Sequence, residues 1–121
     1  MNLSRVGGIL EAKKIATLAE VYFCQIAPHL YNGRVGAAAS IQLATATPNF
    51  LIQERIGTWD GFHAEVVEQK INWQKGYIIP SNKPGLGIEL NMEVVKANSP
   101  YKSKSLHLMM DSQVYNEHSS A

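Results

Sequence analysis

Apolar side chains at Ile9, Ala12, Ala16 and Ala19 recur at three- and four-residue steps, with Ile15 and Leu18 widening the stripe. That period predicts an amphipathic helix over residues 8–22. Glu11 falls in its first turn, where the dipole favours a negative charge, and Lys13 and Lys14 fall on the opposite, solvated face. Phe23 to Ala27 is a short apolar run closed by Pro28, the pattern of a buried strand. Asn32-Gly33 breaks the chain before a second helical stretch, Val35 to Ala46, built largely from small residues that allow close backbone approach. Pro48 ends it, and Asn49 to Gln53 reads as a second short strand. Strand, helix and strand with short connections predict a βαβ unit with parallel strands and a right-handed crossover. The first helix implies an earlier strand, of which Met1 to Arg5 would be the frayed end.

Beyond residue 56 the pattern changes. Gly57 to His63 reads as a loop, Ala64 to Lys70 as a short turn of helix, and Ile71 to Gln74 with Tyr77 to Ile79 as two strands joined at Lys75-Gly76. Pro80, Pro84, Gly85 and Gly87 punctuate the next stretch. Asn91 is placed to cap a short helix through Lys96, which Pro100 stops. From Ser103 the chain is polar except for Leu106 to Met110. The expected division is 1–56, 57–102 and a tail at 103–121.

Composition narrows the class. The 121 residues allow one domain, and 45% hydrophobic with 17% charged residues describes a globular chain. A net charge of +1 gives no electrostatic footprint for nucleic acid or an anionic membrane. No apolar run is long enough to span a bilayer, and there is no signal-peptide pattern. The single cysteine, Cys24, cannot form an internal disulfide; it is expected as an inert core residue in a reducing, cytoplasmic setting.

Two residues stand where chemistry collects. His29 and Glu54 each follow a predicted buried strand, at the end where ligands gather in parallel α/β folds. An imidazole and a carboxyl group on one rim suit proton transfer and hydrogen bonding to a substrate. The competing reading packs His29 against Tyr31 and pairs Glu54 with Arg55 or Arg34. His63, among the aromatic residues Trp59 and Phe62, is a pocket-border or packing residue. His107 and His118 lie in the tail without metal-ligand spacing. Gly7-Gly8 reads as a tight turn or an anion-facing helix start. Walker, dinucleotide, zinc and nucleophile-elbow motifs are absent.

Taken in order, several segments resemble the C-terminal part of the enolase superfamily. These are Leu3-Ser4-Arg5-Val6-Gly7-Gly8-Ile9, Ile26-Ala27-Pro28-His29, Ala38 to Ala46, Pro48 to Glu54 and Pro84-Gly85-Leu86-Gly87-Ile88-Glu89. The mandelate racemase/muconate lactonizing enzyme group matches, and within it the sugar-acid dehydratases of galactonate dehydratase type. The resemblance covers about residues 2–101.

It implies an α/β fold: the C-terminal portion of a (β/α)7β TIM-like barrel, from the end of strand six through strand eight, plus the segment after the barrel. His29 then matches the seventh-strand histidine, a general base or the acid that helps hydroxide leave. Glu54 matches the eighth-strand acid that hydrogen-bonds the substrate carboxylate as it becomes an enolate. Asn2 stands where the family usually has an aspartate. Asparagine can orient a ring nitrogen but supplies no negative charge to an imidazolium, so His29 is expected to be a weaker base.

The family's Mg2+ ligands would lie upstream of Met1, so no metal is expected on this chain alone. The implied parent is a hydro-lyase: it removes the proton α to a carboxylate, then eliminates water to give a 2-keto-3-deoxy acid. The chain itself is expected to be inactive. Two alternatives are a racemase or cycloisomerase parent, and a barrel-completing piece that associates with the missing portion or with itself through open strand edges. On that view Gln25, Ala27, Leu51 and the alanine-rich helix lack partners.

Overall fold

The computed structural model describes residues 1–55 and 59–98. Helix α1 spans Ile9–Val21 and α2 spans Arg34–Thr45; a short α3 (Phe62–Glu65), strands β1 (Asn72–Gln74) and β2 (Tyr77–Ile79), and α4 (Met92–Ala97) follow. The predicted 103–121 tail, with Leu106 to Met110, His107 and His118, lies outside the described residues.

Helix α1 begins after Gly7 and Gly8, whose φ values of 103° and 92° turn the chain sharply into the helix. Its covered stripe is narrower than the periodicity predicts. Ala12 and Ala16 are fully buried, while Ile9, Ile15 and Leu18 remain exposed. Small side chains bring α1 against α2, and the larger ones beside them find no cover. Helix α2 follows the expectation of close approach, burying Ala37, Ala38, Ala39, Ser40, Ile41 and Leu43. Its alanine face is therefore partnered, whereas Gln25, Ala27 and Leu51 are exposed.

The two predicted parallel strands shrink to one parallel bridge, Ile26 with Phe50. Ile26 donates to the Asn49 carbonyl at 2.8 Å, and Leu51 donates to the Ile26 carbonyl at 2.9 Å, as a parallel ladder requires. The ladder stops on both sides for identifiable reasons. Upstream, the Cys24 N–H is already committed to Ala19 in the C-terminal turn of α1, so Phe23 and Cys24 belong to a helix cap. Downstream, the next donor would be residue 28, and proline has no N–H. Side chains replace the lost rungs: Asn49 Nδ2 donates to the Cys24 carbonyl at 2.8 Å, and Gln53 Nε2 donates to the Pro28 carbonyl at 2.9 Å. Cys24 is exposed, not a core residue, because it lies in that cap.

Met1 to Arg5 is not frayed but leads into a tied turn. The Met1 carbonyl accepts from His29 N–H, Asn2 carbonyl accepts from Arg5 and Val6, and Leu3 is buried. Leu3 packs with Ala12, Ala39 and Leu43, and Leu86 from the second half closes over them. A second cluster joins Leu30, Ala37, Trp59 and Ile71. Both clusters thus tie the later segment to the α1/α2 unit.

In that segment, helix forms at Phe62–Glu65 rather than over 64–70, because Val67 is drawn into an antiparallel bridge with Leu90. The predicted hairpin is present, with Trp73 opposite Ile78. Asn91 caps α4, its Oδ1 accepting from Val94 N–H at 3.3 Å.

Candidate active site

The chain ends of the bridge carry the chemistry. Pro28 leads directly from the Ile26 rung to His29, and the Glu54 N–H donates to the Pro28 carbonyl at 3.2 Å. In a regular ladder that acceptor would receive residue 53. One extra residue has entered the second segment, and such a bulge re-aims the side chain that follows it. Glu54 thereby faces His29, with Nε2 to Oε2 at 3.9 Å.

That separation is too long for a direct hydrogen bond and suits a bridging oxygen atom. The His29 and Glu54 side chains are 42% and 48% exposed, so solvent screens their attraction and it contributes little to stability. At the ring's other nitrogen, Asn2 Nδ2 lies 2.8 Å from His29 Nδ1. Asn2 Oδ1 accepts the Ser4 backbone N–H at 3.0 Å. Asn2, His29 and Glu54 therefore form one row, brought together from three separate chain segments.

The competing partners are engaged elsewhere. Arg34 donates from Nη2 to the Trp59 carbonyl at 2.9 Å, and the Arg55 guanidinium lies over the rings of Trp59 and Trp73 at 5.3 and 4.7 Å. These cation–π contacts turn Arg55 away from its neighbour Glu54. Tyr31 is exposed. His63 stands in α3 beside Phe62, ring centroids 6.1 Å apart, and borders a surface hollow with Asn32 and Gly33. It is not part of the His29–Glu54 row.

Two further residues shape the row. Ser4 holds the Asn2 amide through its main chain, a role that no side-chain pattern announces. Gln53 accepts from Ser40 Oγ at 3.1 Å while its Nε2 spans the Pro28 and Glu54 carbonyls, each at 2.9 Å. It clamps the bulge that aims Glu54; its only sequence signal is adjacency to Glu54.

Among the described residues no three His, Cys, Asp or Glu side chains gather into a metal site. His29 and Glu54 supply two donors at most, so a resident Mg2+ does not fit these residues and no chemistry is assigned through one. Among the same residues no helix is long and apolar enough to cross a membrane.

Comparison with known proteins gives the family. Residues 1–94 match the family described as enolase C-terminal domain-like, and the chain belongs to that family. It is 38% identical over 97 residues to D-xylonate dehydratase of Haloferax volcanii, covering 80% of this chain and 24% of that protein. It is also 38% identical over 100 residues to D-galactonate dehydratase of Pectobacterium atrosepticum, covering 78% and 26%.

Among solved structures, one assigned to mandelate racemase/muconate lactonizing enzymes from Burkholderia SAR-1 is 76% identical, with a TM-score of 0.74 over 86% of this chain and 26% of that one. A mandelate racemase/muconate lactonizing enzyme from Sulfitobacter is 48% identical, with a TM-score of 0.70 over 86% and 26%. The chain spans about a quarter of the length of these relatives. The resemblance seen in the segments from Leu3 to Glu89 is thus a family membership.

Proposed function

We propose that this chain forms the C-terminal part of a cytoplasmic sugar-acid dehydratase, contributing the end of the sixth barrel strand through the eighth and the segment that follows. The observation that carries this reading is the facing pair His29 and Glu54, 3.9 Å apart, in a chain similar to two sugar-acid dehydratases. The reaction removes the proton α to a carboxylate and expels the β-hydroxyl as water, leaving a 2-keto-3-deoxy acid. Glu54 hydrogen-bonds the substrate carboxylate as negative charge grows on it. His29 handles a proton at the same rim, and Asn2 orients its ring.

Spanning about a quarter of its relatives' length, the chain supplies one part of that site and carries out no turnover by itself. Appreciable dehydration of sugar acids by the purified 121-residue chain would overturn that part. The dehydratase reading is tested by replacing the matching quarter of the Haloferax enzyme with residues 1–94. Sugar-acid dehydration should survive in the chimera and fall by about 10²–10⁴ on His29→Ala, the usual range for a positioned acid or base. A folded chimera without turnover, or turnover indifferent to that substitution, would defeat the reading.

A second reading, association through uncovered apolar surface, is favoured by one observation. Leu51 and Ile52 are 58% and 62% exposed immediately after the Phe50 bridge.

A further inference from the structure

The row Asn2–His29–Glu54 fixes which nitrogen of His29 carries the proton. Ser4 offers a backbone N–H, which can only donate, and the atom of Asn2 that meets it at 3.0 Å is the amide oxygen. The other end of the amide, its NH2 group, is thereby directed at His29 Nδ1, 2.8 Å away. An amide NH2 only donates, so Nδ1 must accept. In a neutral imidazole one nitrogen accepts and the other bears the hydrogen. The hydrogen then sits on Nε2, the atom that faces Glu54 across 3.9 Å.

We infer that Asn2 is a positioning residue that holds His29 as a neutral ring presenting an N–H, and no lone pair, to the candidate site. An aspartate at the same place would accept from Nδ1–H and leave the Nε2 lone pair facing the site, poised to take a proton. The amide reverses that polarity. The rim therefore offers a hydrogen-bond donor to an oxygen acceptor in the gap before Glu54. Assigning that acceptor as a hydroxyl or carboxylate oxygen of a sugar acid rests on the function proposed above; the tautomer does not.

The test is nitrogen-15 NMR of the ring in the full chain, without substrate, at a pH where His29 is neutral. Nδ1 should resonate in the unprotonated range and Nε2 in the protonated range. Asn2→Asp should exchange the two positions, and Asn2→Ala should move both part of the way toward a tautomer average. A protonated Nδ1 in the parent chain would overturn the inference. So would Asn2→Asp spectra that match the parent. Should Asn2→Asp fail to fold, Asn2→Ala decides: ring signals identical to the parent would show that Asn2 does not hold the tautomer. A dehydratase chimera that fails for other reasons leaves these spectra unchanged, so the two readings fail separately.

Discussion

The Phe23 N–H donates to the Glu20 carbonyl at 2.9 Å while Phe23 itself adopts a φ of 57°. With Cys24 bonding back to Ala19 at 2.9 Å, this is a Schellman closure of α1. The closing position normally belongs to glycine, and the phenylalanine ring gains nothing there, being 96% exposed. The left-handed backbone costs an L-residue about 1–2 kcal/mol. A glycine would relieve it but give up about 0.5–1 kcal/mol to its freer unfolded chain. Phe23→Gly should therefore stabilise the chain by about 0.5–1 kcal/mol, read as a raised urea midpoint with an unchanged slope. A lowered midpoint would mean that the ring is covered in solution.

Gly87 gives the opposite case. Its φ is 74°, it is buried, and a Cβ built on it would stand 2.5 Å from the Ser81 Cβ. Strain and overlap act together here, and the neighbouring Leu86 packs on the core of Leu3, Ala12, Ala39 and Leu43. Gly87→Ala should destabilise by about 2–4 kcal/mol, combining backbone strain with overpacking. Equilibrium denaturation checks it, and a loss below about 1 kcal/mol would show that the 81–87 turn yields freely.

Exposed apolar surface leads to a third expectation. Leu51 and Ile52 border a groove with Trp73 and Tyr77, and Tyr77 is itself 72% exposed. Contiguous open apolar surface favours association. Sedimentation equilibrium should show self-association that weakens on Leu51→Lys with Ile52→Lys. A parent chain that stays monomeric at high concentration would count against it.

Much of the local structure was legible in residue order. The 3.6-residue period over Ile9 to Ala19, the small residues of α2, the Lys75-Gly76 turn and the Asn91 cap each act within a few residues, so short windows contain their causes. The alanine-rich face of α2 carried tertiary information as well, since small side chains imply close contact. His29 and Glu54 were legible as a pair from their positions after two apolar runs, and family resemblance singled out Asn2 beside them. The strands at 23–27 and 49–53 misled because apolarity signals burial, whereas a ladder also needs free N–H groups. Cys24 had spent its own on the cap of α1, and Pro28 has none.

By itself, the sequence determined α1, α2, α4 and the Lys75-Gly76 turn, because periodicity and capping act locally, and it set His29 and Glu54 each after an apolar run. Tertiary structure alone decided which residues touch and how. The bulge opposite Pro28 turned Glu54 toward His29, Gln53 clamped that turn, and Arg55 was drawn off between two tryptophans. The orientation of the Asn2 amide depends on a backbone N–H two residues away and a ring 27 residues away. A hydrogen bond is set by distance and direction in space, and only the folded chain supplies both.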